Sequence, residues 1–189
     1  MSERIRGVVK FYNSQKDFGF IERLDGGEDV HFDKSSCLEK VPQENDNIDF
    51  EVEDTNRRPH AINLKIVENE TVEFLKENVL NLKETDYDKF CDNVKEYAFN
   101  LRDGDLTTSK IRKIYARIMN TKNIAELKML RPQFAYTAGR DNSQGVQSFM
   151  DLLDFLVKKM DNKSEEELAN FKTFMESVIA YRKYAGDDK

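Results

Sequence analysis

The sequence predicts two domains, a small all-β barrel in residues 1–68 followed by an all-α helical bundle in residues 72–189. Between Lys10 and Ile21, aromatic side chains follow the period-two pattern of β-strands. That alternation stops near Glu68, and apolar residues then recur at intervals of three and four, as on the buried face of a helix. A length of 189 residues is enough for one or two domains.

The strongest local pattern is the segment KFYNSQKDFGFI. We predict two strands joined by a turn at Asn13-Ser14-Gln15, so that Phe18 and Phe20 share one face and Gly19 and Ile21 share the other. Two phenylalanines on an exposed face favour a flat ligand, and a stacked nucleobase contributes about 1–3 kcal/mol. Gly19 leaves no side chain on the core side, which allows tight strand curvature.

The motifs GVVKFYN, KDFGFI and DVHF closely resemble those of cold-shock domains. The resemblance continues to about Val67, with Asp49–Glu53 similar to the fourth strand and Arg57–Leu64 similar to the start of the fifth. It implies a five-stranded OB-type barrel that binds single-stranded RNA or DNA through outward aromatic rings. The binding residues that it implies in the barrel are Lys10, Phe11, Lys16, Phe18, Phe20 and His31.

Three positions depart from the cold-shock pattern. Phe11 stands where that family usually has tryptophan, Asp17 replaces a glycine, and Asp33 adds a second negative charge at the outward position after His31. Two interpretations follow. The barrel retains single-strand binding, or it keeps the fold and has lost most of its affinity.

The charge distribution favours stacking over phosphate contacts in the barrel. The net charge of the chain is −6; residues 1–70 hold 10 basic and 16 acidic side chains, whereas residues 71–189 hold 20 of each. Because the Debye length is about 8 Å at physiological salt, acids on the far wall are screened from the aromatic face. We therefore expect a weak salt dependence of binding.

The second half predicts six helices, whose expected starts are near Val72, Tyr87, Thr107 or Thr108, Asn123, Gly145 and Ser164. The apolar stripe of the first helix extends to Leu82. Pro132 must kink or restart the fourth, and Gly139 is a predicted left-handed stop. Leu152 and Phe155 widen the apolar face of the fifth helix beyond what one neighbouring helix covers.

A basic stripe on the third helix has the spacing i, i+3 and i+7 and consists of Lys110, Lys113 and Arg117. Arg112 lies on the other side of the same helix. The stripe is either a solvated helix face or a binding surface. Arg131 and Arg140 bracket the next turn, where arginine either caps helix carbonyl groups or holds a phosphate.

The segments TTSKIRK, LRPQFAYTAGR and IAYRKY occur in this order and resemble the small subunit of type III-A CRISPR effector complexes, the Csm small subunit. The resemblance covers roughly Val72 to Ala185, and the usual member of that family lacks the barrel. It implies a non-catalytic subunit whose copies stack head to tail along the duplex of CRISPR RNA and target RNA, beside backbone subunits and towards the large subunit. Leu152 and Phe155 fit a subunit that buries surface against neighbours, or belong to its core.

The positions that the resemblance makes candidates for RNA contact are Lys110, Arg112, Lys113, Arg117, Arg131 and Arg140. Arg112 fits a structural pair within the bundle equally well. The alternative function is a free-standing cold-shock-type RNA chaperone or regulator whose helical half dimerises or binds a regulator.

Other classes of protein are disfavoured. Cys37 and Cys91 lie in different halves without metal-ligand spacing, which is typical of reduced thiols in a cytoplasmic protein. The start of the chain has no apolar run typical of a signal sequence, and no stretch reaches the ~18 apolar residues of a membrane span. Neither of the two histidines has a nearby cysteine or serine in a recognisable nucleophile arrangement. We therefore expect no catalysis, no cofactor and no metal.

Overall fold

The computed structural model describes residues 4–186 except 39, 45, 55–57 and 142. The chain divides into two compact units, Met1–Asn69 and Glu70–Lys189. In the described residues the first unit contains five β-strands and the second contains seven α-helices, which confirms the predicted fold class. Arg57, the first residue of the segment predicted to lead into the last strand, lies outside the described residues.

The first unit is a closed barrel. Its strands are β1 (Arg4–Asn13), β2 (Phe18–Arg23), β3 (Val30–Asp33), β4 (Asn47–Asp54) and β5 (Pro59–Val67). They close in the order β1-β2-β3-β5-β4, and the pairings are antiparallel except that between β3 and β5. Closure leaves no open sheet edge.

The β1–β2 hairpin confirms the predicted alternation of its second strand. Gly19 and Ile21 are buried, whereas Phe18 and Phe20 are half-buried on the outer face. The turn occupies residues 14–17 rather than 13–15, because Asn13 still pairs with Phe18 as part of the ladder.

A β-bulge at Lys10 interrupts the first strand. The ladder between β1 and β2 shifts register between Val9 and Phe11, so Lys10 and Phe11 are both exposed. Beyond the bulge Tyr12 faces inward and stacks on the buried ring of Phe32, with centroids 5.8 Å apart. The bulge therefore turns Phe11 outward, although uninterrupted alternation from the buried Val9 would have placed it in the core.

Gly19 is required by close packing inside the barrel. A Cβ at this position would lie 2.4 Å from the carbonyl oxygen of Phe11 and 2.5 Å from the ring of Phe32. The ring of Phe32 occupies the space that a side chain would need. This steric reason is stronger than the strand curvature expected from the sequence.

The second unit is a helical bundle. Its helices are α1 (Glu70–Asn78), α2 (Tyr87–Asp103), α3 (Thr108–Met119), α4 (Ile124–Lys128), α5 (Arg131–Arg140), α6 (Gln144–Lys159) and α7 (Glu165–Tyr184). The side chains of Thr107 and Ser164 accept hydrogen bonds from the first turns of α3 and α7, as their cap positions predict. Pro132 is the second residue of α5, so the predicted fourth helix is restarted there as a separate helix.

Two expectations about the bundle were wrong. Leu82 lies beyond α1, which ends at Asn78, whose side-chain amide donates to the carbonyl oxygen of Phe74 at 2.8 Å. Gly139 lies within α5 and does not stop it. For Leu152 and Phe155 the sequence left open a place in the core or on a contact surface. Leu152 is 2 % exposed and belongs to the core, whereas Phe155 is 39 % exposed.

Basic side chains cap the carboxyl ends of helices elsewhere in the bundle. Lys172 Nζ donates to the carbonyl oxygens of Met119 and Thr121, at 3.2 and 2.7 Å, at the end of α3. Lys128 Nζ likewise donates to the carbonyl oxygen of Met160 at 2.8 Å. A positive charge at the negative end of a helix dipole is favourable. Some basic side chains of the bundle thus bind helix carbonyl groups of the protein itself.

Among the described residues, none of the helices combines the length and the apolar character that crossing a bilayer would need.

Candidate nucleic-acid interfaces

Four rings lie together on the outer face of β1, β2 and β3, and we name this cluster the aromatic platform; its members are Phe11, Phe18, Phe20 and His31. The ladder places Phe20 between Phe11 and His31. Phe18 meets Phe11 and Phe20 edge to face, at centroid distances of 6.1 and 6.0 Å, and stacks on His31 at 5.6 Å with an angle of 18°. Because the rings fix each other's orientations, the platform is preorganised for a flat ligand.

The two predicted lysines beside the platform differ in availability. Lys10 Nζ lies 2.9 Å from Asp29 Oδ2, and this hydrogen bond raises the pKa of Lys10. Lys16 is exposed in the β1–β2 turn, and its side chain has no ion-pair partner in the described part of the chain. Of these two lysines, Lys16 is the one whose charge is available to a phosphate group.

The two carboxylates that depart from the cold-shock pattern are both engaged by the barrel. Asp17 has a φ of 53°, a left-handed conformation that favours glycine and that aspartate tolerates. It accepts a hydrogen bond from Tyr12 Oη at 3.1 Å and lies 3.7 Å from Lys34 Nζ. Asp33 caps the short 3-10 turn of Lys34–Ser36 by accepting from the backbone N–H of Ser35 at 2.9 Å. These partners reduce the repulsion that the two charges would exert on phosphate groups.

A polar chain runs behind His31. The Nδ1 atoms of His31 and His60 are 3.2 Å apart. On the other side of its ring, His60 Nε2 lies 3.1 Å from Ser36 Oγ and 3.3 Å from Asp33 Oδ2. Burial lowers the pKa of His31, and His60 and Arg58 lower it further against the opposing effect of Asp33. Hydrogen bonds from Ser35 hold the pKa of Asp33 below its usual value.

Sequence reasoning missed His60 and Arg58 as neighbours of the platform. His60 reaches His31 through the parallel pairing of β3 with β5, across 29 residues of sequence. Histidine is rare in this chain, with two in 189 residues, and each lies on a strand segment that resembles the cold-shock pattern. The presence of both histidines on these segments was the signal that could have suggested their contact.

Two side-chain contacts join α3 to α5 and to Asp141, the residue after it. Helical spacing puts Lys113 on the same side of α3 as Lys110 and Arg117, and Tyr136 and Arg140 on the same side of α5 as Gln133. We name these six residues the α3–α5 face. Lys110 Nζ lies 2.6 Å from Asp141 Oδ2, and this contact lowers the pKa of Asp141 to about 2. At the other end Arg117 donates to the side-chain oxygen of Gln133. The two contacts hold α3 antiparallel to α5, with Lys113 between them on its helix face.

The structure separates the six predicted basic residues of the bundle into two groups. Arg131 forms a bidentate ion pair with Asp154 of α6, at 2.7 and 3.0 Å, and so joins Lys110 and Arg117 as residues with a partner in the protein. The remaining three are exposed and form no side-chain hydrogen bond or ion pair with any described residue; they are Arg112, Lys113 and Arg140. Tyr136, one turn before Arg140, is 64 % exposed and was not selected from the sequence.

The described residues contain no group of three or more histidine, cysteine, aspartate and glutamate side chains arranged to hold a metal ion. The surfaces above consist of aromatic rings and basic groups, which suit stacking and phosphate contacts.

Comparisons with known proteins assign both units. A family model described as Csm2 Type III-A matches residues 84–188, and one described as the 'Cold-shock' DNA-binding domain matches residues 5–67. Cold shock-like protein CspA of Rickettsia typhi is 40% identical over 70 residues, which are 35% of this chain and 99% of that protein. Cold shock-like protein CspC of Escherichia coli (strain K12) is 37% identical over 70 residues, 34% of this chain and 97% of that protein.

Among solved structures, drosophila Unr CSD456 has a TM-score of 0.33 and 21% identity, over 36% of this chain and 29% of that chain, a likeness too slight to add to the assignment. The Csm2 match spans more than half of the chain, and the cold-shock relatives are matched over almost their whole length. The chain therefore belongs to the Csm2 family of type III-A CRISPR effector small subunits and carries a cold-shock domain in residues 5–67.

Proposed function

We propose that this chain is a non-catalytic, RNA-binding subunit whose helical bundle stacks, copy upon copy, along the duplex of CRISPR RNA and target RNA in the cytoplasm. Its partners would be those RNAs, the backbone and large subunits, and further copies of itself. The barrel would add a site for single-stranded nucleic acid. The aromatic platform supports this addition most directly, because it presents preorganised rings on the outer face of β1, β2 and β3 in a barrel that matches the 'Cold-shock' DNA-binding domain.

The barrel alone should bind weakly. Stacking contributes about 1–3 kcal/mol per base, and the platform has few free cations beside it. Attachment to a bundle that already holds RNA raises the effective concentration of the platform near a single strand, so a weak site becomes useful without new contacts.

The bundle would contact the RNA backbone through its exposed basic residues. Arg112, Lys113 and Arg140 are exposed without a described protein partner, which leaves their charges available for phosphate groups. Tyr136 offers an exposed ring on the α3–α5 face. Lys110, Arg117 and Arg131 serve in this proposal mainly to fix the helices that carry these groups.

The first experiment is an affinity purification of the tagged full chain from its own cells, with sequencing of bound RNA and identification of bound proteins. We expect CRISPR RNA together with a fixed set of effector subunits. Scattered messenger RNAs without effector subunits would instead support a free-standing RNA chaperone.

The second experiment tests the barrel within the assembled complex. Phe18→Ala with Phe20→Ala should lower the affinity for single strands by a few kcal/mol at most, since each stacked base contributes about 1–3 kcal/mol, and should leave assembly intact. Leu24→Ala with Leu38→Ala is the matched control, because these leucines are 62 % and 57 % exposed on the barrel outside the platform. Equal affinities for the two double variants would show that the barrel docks protein or has lost its binding function.

A further inference from the structure

The pair formed by His31 of the platform and His60 behind it has a defined direction of hydrogen bonding. Because the two Nδ1 atoms are 3.2 Å apart, one of them must carry a proton and the other must present its lone pair. The position of that proton decides which nitrogen of His31 is left bare. Nε2 of His31 has no hydrogen-bond partner among the described residues, so its state is presented to a ligand on the platform.

Asp33 determines where the proton lies. Its ionised carboxylate can only accept hydrogen bonds, and Oδ2 lies 3.3 Å from His60 Nε2. Ser36 Oγ, 3.1 Å from the same nitrogen, can donate to Asp33 Oδ1 and accept from His60. Both neighbours therefore favour a proton on His60 Nε2. A neutral His60 then has a bare Nδ1, and His31 must donate to it from its own Nδ1.

We propose that Asp33 and His60 are positioning residues that fix the tautomer of His31, so that the platform presents His31 Nε2 as a hydrogen-bond acceptor. Such an acceptor reads the N–H groups of a base, including the exocyclic amino groups of adenine, cytosine and guanine, and does not bind phosphate. The base-reading part rests on the proposed single-strand function of the barrel, whereas the tautomer itself does not. The lowered pKa of His31 agrees with a neutral ring at neutral pH.

The tautomers are directly measurable because the chain has two histidines and both belong to this cluster. In the full chain labelled with ¹⁵N-histidine, long-range proton–nitrogen NMR spectra at neutral pH should show His31 protonated on Nδ1 and His60 protonated on Nε2. Asp33→Asn keeps a side-chain oxygen to cap the 3-10 turn but removes the carboxylate, so the opposite tautomers should gain population. Asp25→Asn removes the same charge from a residue that contacts Arg23 and should leave the spectra unchanged.

His31 protonated on Nε2 in the wild-type chain, or tautomers that Asp33→Asn does not alter, would overturn the proposal.

Base reading is tested with two short single-stranded oligonucleotides, one of adenine and one of purine, which lacks the exocyclic amino group. The full chain should bind the adenine oligonucleotide about five-fold more tightly, as expected for one hydrogen bond. Asp33→Asn should bring this ratio towards one, while Phe18→Ala with Phe20→Ala should weaken binding of both oligonucleotides. Equal binding of both by the wild-type chain would overturn base reading by His31. Binding of neither would instead overturn the proposed single-strand function, and the NMR spectra would still decide the tautomer.

Discussion

Arg182 of α7 donates from Nε to the carbonyl oxygen of Leu106, in the loop between α2 and α3, at 2.9 Å. Its Nη1 donates to the carbonyl oxygen of Gly186, also at 2.9 Å, and the residue is only 2 % exposed. Arg182 lies within the IAYRKY segment that carries part of the family resemblance. A buried guanidinium that joins α7 to the α2–α3 loop gives that segment a structural role.

Arg182→Ala should lower the free energy of unfolding of the bundle by about 3 kcal/mol, because hydrogen bonds to a charged group contribute about 1.5–3 kcal/mol each. Urea denaturation followed by far-ultraviolet circular dichroism measures this change. Arg112→Ala, at an exposed helix position, is the control and should change the stability by less than about 0.5 kcal/mol. Equal midpoints for the two variants would contradict the structural role of Arg182.

Two glycines should respond oppositely to alanine. Gly139 lies within α5 and a Cβ there would meet no atom within 4 Å, so Gly139→Ala should stabilise the bundle by about 0.5 kcal/mol. Gly19→Ala should destabilise the barrel by roughly 1–3 kcal/mol, because the new methyl group would overlap the ring of Phe32. Thermal unfolding of the two variants, with NMR signals from each unit, tests both. A destabilising Gly139→Ala would show that this position needs glycine after all.

The barrel should lose stability on mild acidification. His31 has a folded-state pKa below its ordinary 6.5, so the unfolded chain binds more protons as the pH falls through and below that value. The groups that act on His31 are His60 and Arg58, which lower its pKa, and Asp33, which raises it. Asp33 itself stays ionised in this range because its pKa is lowered from 3.8.

The thermal midpoint of the barrel should therefore decrease as the pH is lowered from about 7.5 to about 5.5. The NMR signals of the core residues Val9 and Ile21 report this midpoint. His31→Phe keeps a ring on the platform and removes the titration, so its midpoint should fall less. An identical pH dependence in both proteins would assign the effect to other groups.

Binding of single strands to the barrel should depend weakly on salt. Lys10 is held by Asp29, which leaves Lys16 as the main free cation of the predicted set. One or two phosphate contacts correspond to a slope of about −0.7 to −1.4 in log K against log salt. Lys16→Ala should reduce its magnitude by about 0.7, whereas Lys65→Ala on the β4–β5 wall should not. A steep slope in the wild-type barrel would mean that phosphate contacts dominate.

The exposed basic residues of the bundle should matter more for RNA than the paired ones. Arg140→Ala should weaken RNA binding by the assembled complex by about 1.5 kcal/mol, the lower end for a hydrogen bond to a charged group. Arg131→Ala should leave the affinity almost unchanged, because this arginine is already bound to Asp154. Filter binding of target RNA to complexes that contain each variant measures the difference. A larger loss of affinity for Arg131→Ala than for Arg140→Ala would contradict the assignment of Arg131 to the bundle structure and of Arg140 to RNA contact.

The features of the fold that depend on neighbours in sequence could be predicted. The parity of Phe18 and Phe20 depends on neighbours in sequence and is as expected. The structure also chooses between the stated alternatives: Thr107, not Thr108, caps α3, and Pro132 restarts the helix instead of kinking it. The family resemblance added the outward position of Phe11, which alternation alone would have assigned to the core.

Features that depend on distant neighbours were not predictable. Gly104, after the end of α2, shows this, because a Cβ there would lie 2.8 Å from the backbone nitrogen of Gly145 on α6. The left-handed conformation at this helix end belongs to the next residue, Asp105, with a φ of 61°. The partner of His31 and the acids that engage Lys110 and Arg131 are likewise set by tertiary contacts.

The bulge at Lys10 gives β1 two reading frames. Before it, the inward positions are Gly7 and Val9; after it, the inward position is Tyr12, and Phe11 is released to the ligand side. A substitution in this strand changes one side chain. Deletion of one residue at the bulge would instead put the residues before and after it into a single register, so that inward and outward positions would no longer match the present core and binding ring. We therefore expect β1 to tolerate substitutions far better than insertions or deletions.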